Sequence, residues 1–192
     1  SPWAAGCASL PSNVSRTASK AFNAPEQTEL GKLVLERKAR DGARADSGFN
    51  LLNTVGAAFS SRVALIESAQ RSLDLQYYAI HADASTEVIL QRLREAARRG
   101  VHVRILLDDF NSVGENAQVL RLAFEPNIEM RLFNPLPGPR HNLLGHLVSS
   151  LDDLPNIQKR MHNKLFIADN AWGITGGRNI GEEYFGIGEK QN

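Results

Sequence analysis

A histidine, a lysine and an asparagine stand in this chain at a spacing that lets one phosphate group touch all three. The stretch is Met161-His162-Asn163-Lys164-Leu165-Phe166-Ile167-Ala168-Asp169, followed by Gly176-Gly177-Arg178-Asn179. An imidazole nitrogen can attack phosphorus and hold the phosphoryl group covalently, which divides one difficult displacement into two easier ones. His162 is the candidate nucleophile. Negative charge on the phosphoryl oxygens is answered by fixed cations and donors, here the ammonium of Lys164, the amide of Asn179 and the backbone at Gly177, with no metal and no cofactor called for. Residues 161–168 lack helical spacing, so a strand is expected, in which His162 and Lys164 share a face. Asp169 has the wrong parity to join them. It is assigned to the hairpin end, as a carboxylate that holds the turn or an adjacent catalytic group. Asp169-Asn170 supplies turn residues, residues 172–175 run back as a second strand, and Gly176-Gly177 lets the backbone approach a ligand closely.

The pattern HxKxxxxD followed by Gly-Gly-x-Asn resembles the HKD signature of the phospholipase D superfamily. Its fuller form, RMHNKLFIADNAWGITGGRNIGEEYFG over residues 160–186, is similar to the first HKD motif of bacterial cardiolipin synthases of the phospholipase D type. SLDLQYYAIHAD (72–83), RGVHVRILLDD (99–109) and PNIEMRLFNP (126–135) extend the resemblance upstream. It implies a phospholipase D-like α/β/α sandwich with a mostly parallel mixed sheet, forming one half of a two-half fold. It also implies a phosphatidyltransferase that works through a phosphohistidine. His162, Lys164, Asp169 and Asn179 would be its catalytic residues, and phosphatidylglycerol or a similar phospholipid at a membrane surface its substrate.

Composition is compatible with that reading. The chain has 192 residues, 42% of them hydrophobic and 22% charged, enough for one sizeable core. A net charge of +1 gives no global field for a long nucleic acid, which disfavours the alternative of an endonuclease-like phosphodiesterase acting as a homodimer. No run approaches the roughly 18 apolar residues of a membrane-spanning helix. Membrane attachment would be peripheral or through a lipid, because Ala4-Ala5-Gly6-Cys7 resembles a lipoprotein lipobox. Cys7 is the only cysteine, so no intramolecular disulfide forms.

The elements that must position the site are readable. Residues 1–46 read as a polar leader with one helical stretch at 28–38, and residues 47–192 as the domain. Phe59, Val63, Ile66 and Ala69 recur at helical spacing and belong to the core. Strands are expected at 73–80, 101–107 and 128–133, with helices at 88–99 and 117–124 and Gly100 as a helix stop. Strands alternating with helices favour a largely parallel sheet with ligands at the strands' carboxyl ends. Residues 134–159, with four prolines and two glycines, read as an active-site loop. Tyr77, Tyr78 and His81 are candidates to line a headgroup pocket. Asp108-Asp109 is assigned to loop organisation rather than metal binding, for want of a second ligand cluster. Arg178, Glu182 and Glu183 are read as solvated.

The resemblance implies a second HKD histidine, to protonate the leaving oxygen and deprotonate the incoming hydroxyl. This chain carries one motif. The second histidine would come from another half of a longer chain, the favoured reading, or from a homodimer partner. Without it, this half would bind lipid but not turn over.

Overall fold

The computed structural model describes residues 14, 18–42, 44–136 and 159–186. In chain order the elements are α1 (Glu29–Arg40), α2 (Val55–Ser68), β1 (Ser72–Tyr77), α3 (Ala84–Arg98), β2 (His102–Asp108), a 3-10 helix (Gly114–Phe124), β3 (Ile128–Phe133), β4 (Lys164–Ala168), β5 (Trp172–Thr175) and α4 (Glu182–Phe185). Five strands form one sheet in the order β3-β2-β1-β4-β5. β1, β2 and β3 pair in parallel through the expected crossovers, whereas β4 runs antiparallel to β1 and β5 antiparallel to β4. The sheet is thus more evenly mixed than the alternation of strands and helices suggests. The reason lies in where the chain re-enters. Leu136 and Met161 are both held by carboxylates at the carboxyl end of β2, so β4 starts at the end of the sheet where β3 finished and must run back down.

One face of the sheet carries the core. Leu73, Leu75 and Tyr77 of β1, Val103, Ile105 and Leu107 of β2, and Phe166 and Ala168 of β4 are buried against Ile66, Ile89, Leu93 and Ala96 of α2 and α3. The strand registers align these residues in rows, Leu75 lying between Ile105 and Phe166. The opposite face alternates Asp74, Gln76, Arg104, Leu106, Leu165 and Ile167, all half-buried and outside that core. Arg62, on the buried side of α2, donates through Nε to the Tyr77 hydroxyl at 3.1 Å and through Nη1 to the Ala58 carbonyl at 2.7 Å. Burial pushes the Tyr77 phenol above its ordinary range, and the guanidinium opposes that rise. Tyr77 is therefore a core residue, not a pocket residue.

Several boundaries differ from the sequence expectation. α3 begins at Ala84 because Asp83 caps it, its carboxylate accepting the Thr86 N–H at 2.9 Å. Gly100 does stop this helix, with φ of 94°. The 117–124 helix is of the tighter 3-10 kind and starts at Gly114. The helix in the presumed leader packs on the domain: Leu30 joins the core, and the Trp172 indole N–H donates to the Leu30 carbonyl at 3.0 Å. Folded structure thus extends to the N-terminal side of Ser47. Cys7 lies outside the described residues.

The β4–β5 hairpin turns at Asp169 and Asn170, whose φ values of 52° and 51° give the left-handed pair that primed turns need. Asp169 is fully buried. Its carboxylate accepts the backbone N–H groups of Gln70 (2.9 Å), Arg71 (2.7 Å) and Ser72 (3.0 Å), and its own N–H donates to the Ser72 carbonyl at 2.8 Å. One side chain thus fastens the hairpin to the entrance of β1. Asp169→Ala leaves three backbone donors without their acceptor, one of them buried, and is expected to cost about 2–4 kcal/mol of stability, since each charge-assisted bond is worth roughly 1.5–3 kcal/mol and water recovers part. Urea unfolding checks it. A change below about 0.5 kcal/mol, the scale of a neutral surface substitution, would contradict the assignment.

Candidate active site

Two buried carboxylates at the carboxyl end of β2 set the entrance to the HKD segment. Asp108 accepts the Phe110 N–H at 2.9 Å, the Met161 N–H at 2.7 Å and Arg160 Nη1 at 3.2 Å. Asp109 accepts the Leu136 N–H at 2.7 Å. Arg160 in turn donates to the Asn134 carbonyl at 3.0 Å. Both ends of the expected active-site loop are thereby tied to β2, although residues 137–158 lie outside the described residues. This is the organising role expected of the Asp108-Asp109 pair. Among the described residues, no three His, Cys, Asp or Glu side chains are grouped to hold a metal ion.

His162 follows immediately, before the strand and not within it, because β4 begins at Lys164. Strand pleating is thus not what brings His162 and Lys164 together; the ring of Tyr78 is. The imidazole lies on that ring, centroids 4.1 Å apart and planes 31° apart, and Lys164 Nζ stands 5.3 Å from its centroid. Lys164 Nζ also donates to the His162 carbonyl at 2.9 Å. Asn163, between them, donates to Gln76 Oε1 at 3.0 Å and fixes the start of β4 against β1. His162 is exposed. Lys164 has no carboxylate partner among the described residues, and burial alone holds its ammonium below the ordinary lysine range. An accessible imidazole beside an uncommitted cation is a site for an anionic electrophile.

The Gly-Gly-x-Asn segment docks on the same end of the sheet. Asn179 Oδ1 accepts the Ala79 N–H at 3.2 Å, and its Nδ2 donates to the Tyr184 hydroxyl at 3.0 Å. Asn179 is buried and fastens the residue next to Tyr78. Gly177 stands in open space, where an added Cβ meets nothing within 4 Å. Gly181, which sequence reasoning passed over, is the tight position: a Cβ there would come within 2.8 Å of His81 Cδ2. Ile80 and Ile180 form a parallel bridge, and the Glu182 N–H donates to Asp83 at 2.7 Å. Burial pushes the Asp83 carboxyl up, but hydrogen bonds from Thr86, Glu182 and Ser85 outweigh it and leave the group below its ordinary range. His81 pairs with Glu183 at 3.2 Å and stacks near Tyr184, so it braces this segment. Arg178 and Glu182 are not merely solvated, since Arg178 donates to the Tyr184 carbonyl at 3.0 Å and Glu182 accepts the Ala84 N–H at 3.2 Å. His162, Lys164 and Asn179 thus gather around the carboxyl end of β1, while Asp169 sits at the opposite end of the sheet. Tyr78, a sequence candidate for lining a headgroup pocket, lies one residue beyond β1, which pairs with the motif strand, and meets His162 and Lys164 there.

The fold and this histidine–lysine pair define a phospholipase D-type α/β protein. Residues 63–191 match the family described as cardiolipin synthase, PLD-like domain, and the chain belongs to that family. Cardiolipin synthase C of Escherichia coli is 43% identical over 133 residues, covering 69% of this chain and 27% of the relative. An uncharacterized protein of Helicobacter pylori is 42% identical over 161 residues, covering 84% and 31%. The chain thus spans about a third or less of the length of the curated relatives it matches. Among solved structures, NucT from Helicobacter pylori is similar with a TM-score of 0.51 and 21% identity, over 71% of this chain and 76% of that one. The phospholipase D family member Nuc from Salmonella typhimurium gives 0.50 and 22%, over 69% and 71%. Both support the fold.

If Tyr78 positions His162 with its ring, Tyr78→Leu will abolish the ring-current shift of the His162 ring protons, and Tyr78→Phe will keep it. In the turnover-competent protein the leucine variant is expected to lose about 10- to 100-fold in kcat, the scale of an ångström-sized misplacement of a reacting group. Unchanged His162 resonances in Tyr78→Leu would remove Tyr78 from the site.

Proposed function

We propose that this chain is the first HKD half of a phosphatidyltransferase of the cardiolipin synthase type, acting at a membrane surface. The observation that carries the reading is the exposed His162 imidazole held on Tyr78 beside Lys164, a cation with no carboxylate partner among the described residues. The similarity to cardiolipin synthase C supports the choice of lipid substrate. No helix among the described residues is long and apolar enough to cross a membrane, so attachment is proposed to be peripheral.

An imidazole nitrogen of His162 attacks the phosphorus of a phospholipid, forming an N–P bond as the bond to the headgroup alcohol breaks. The leaving oxygen takes its proton from a second histidine, supplied by another HKD half of a longer chain or by a second copy. The glycerol hydroxyl of a phosphatidylglycerol then attacks the phosphohistidine, gives its proton back to the second histidine and releases His162. Lys164 holds the phosphoryl oxygens throughout. Asn179 is proposed to keep Ala79 and Tyr78 in place beneath the phosphate, and Gly177 to leave the space it fills. Asp169 serves the site from a distance, as the anchor of the strand that bears Lys164.

Lipid vesicles containing phosphatidylglycerol test this in the protein or assembly that includes the second histidine. His162→Ala is expected to abolish transfer. Lys164→Ala is expected to fold and to lose about 100-fold or more, the scale of removing one preorganised electrostatic donor. Transfer by the His162→Ala protein would refute the nucleophile. Cleavage of DNA with no action on phospholipid would replace this function with the phosphodiesterase alternative.

The environment of Lys164 gives a pH dependence. Burial disfavours the ammonium, so the folded-state pKa lies below that of a free lysine and the cation is lost at a lower pH. Activity should therefore fall on the alkaline side before the ordinary lysine range is reached. Lys164→Arg, whatever activity it keeps, should lack that limb because guanidinium does not titrate there. The pH profile of kcat/KM in both proteins checks it, and an identical limb in each would assign it to another group. Activity should also survive exhaustive chelation by EDTA, because Lys164 supplies the charge a metal would otherwise bring. Loss that added divalent metal restores on a soluble short-chain substrate would overturn this.

A further inference from the structure

At the amino ends of β1 and β2, on the far side of the sheet from His162, a cavity of about 300 Å³ opens between the N-terminal segment and the strands. Lys20, Arg71, His102 and Arg104 line it together with Phe22 and Ser72, and no carboxylate does so among the described residues. Their charges are unequally committed. Arg104 is paired with Asp74 across β1 and β2, and His102 lies 3.8 Å from Glu129. Lys20 and Arg71 have no acidic partner among the described residues; the Arg71 guanidinium rests on the Phe22 ring, 5.6 Å from its centroid.

Ser72 adds a second, independent sign. It is 4% exposed, and its hydroxyl makes no hydrogen bond among the described residues. A buried polar atom left unanswered costs about 1–3 kcal/mol, so such atoms normally have a partner. Ser72 does not lack order. Its N–H and carbonyl are both held by Asp169, which also holds the Arg71 N–H. The cavity floor is thus rigid backbone bearing one idle hydroxyl and one uncommitted guanidinium, with a lysine opposite.

We propose that this cavity is a second anion site, which takes the phosphoryl group of a phosphate ester independently of the chemistry at His162. Two uncommitted cations, a hydroxyl and a partly engaged arginine suit a tetrahedral group with several charged oxygens better than a planar carboxylate. The Phe22 ring and the Arg71 stem give an apolar rim for the carbon side of the ester. Its place opposite the HKD segment means that occupancy does not block His162.

Isothermal titration with inorganic phosphate at low ionic strength tests the site. His162→Ala/Lys164→Ala removes the candidate active site, so binding seen there is not binding at the HKD segment. The expected result is saturable one-to-one binding in that background. Adding Lys20→Gln and Arg71→Gln should weaken it about tenfold or more, and Ser72→Ala about threefold, as expected for losing charge-assisted and neutral hydrogen bonds. Circular dichroism confirms folding, and Lys20→Gln, at an exposed position, carries the test alone if Arg71→Gln does not fold. Co-sedimentation with phosphatidylglycerol vesicles identifies the source. Vesicle binding lost in the Lys20 and Arg71 variants assigns the site to a lipid headgroup, and vesicle binding unchanged while phosphate binding is lost assigns it to a soluble ester. No saturable phosphate binding, or binding that these variants leave unaltered, would overturn the proposal. Neither result bears on whether His162 is a nucleophile.

Discussion

The buried carboxylate of Asp108 is the constraint on which the site depends. A charge removed from water is tolerated only when its oxygens are answered, and here two backbone N–H groups and a guanidinium answer them. One of those N–H groups belongs to Met161, so satisfying the carboxylate also fixes the residue next to His162. Because Asp108 ends β2, the position of the proposed nucleophile is set by the parallel core of the sheet. The same tie makes β4 start where β3 ended. It thereby makes the sheet mixed and sends Asp169 to the opposite end of the strands.

From that fixed start, the Tyr78 ring gathers the two chemical groups. The imidazole lies on its face and the Lys164 ammonium stands near it, both without a carboxylate partner among the described residues. Such a partner would orient the histidine but would also neutralise the charge a phosphate needs. An aromatic face orients without neutralising. Asn179, Gly181, Asp83 and His81 then hold the loop after β1 against the segment that follows the hairpin, which keeps Tyr78 under the pair. The motif is thus two segments clasped on one strand end, with His162 and Lys164 on one side and the clasp on the other.

Much of this was legible in the sequence. Branched residues marked β2, the Asp169-Asn170 pair marked the hairpin, and the motif marked His162 and Lys164, which meet at the end of β1, although its aspartate lies at the other end of the sheet. The paired carboxylates after β2 were read as loop organisers, and they hold both loop ends. What was not legible depended on three-dimensional closure. No local pattern shows that β4 runs antiparallel, because that follows from a tie between Asp108 and a residue more than 50 positions away. The strand reading of His162 rested on the lack of helical spacing over 161–168, yet the Asp108 tie holds the chain before pairing begins. Arg62 on the buried face of α2 breaks the helical pattern and makes sense only once the Tyr77 hydroxyl is known to need a donor. The helical stretch at 28–38 was read, and α1 forms there, but its docking on the domain was hidden in a polar segment whose buried residues are few.

The proposed reaction requires that His162 become covalently attached to phosphorus. Rapid acid-free quenching of the turnover-competent protein with labelled phosphatidylglycerol, followed by proteolysis and mass spectrometry, measures this directly. An acid-labile phosphatidyl adduct confined to the peptide bearing His162 is expected. The same adduct on another residue, or its formation in a protein carrying His162→Ala, would contradict it.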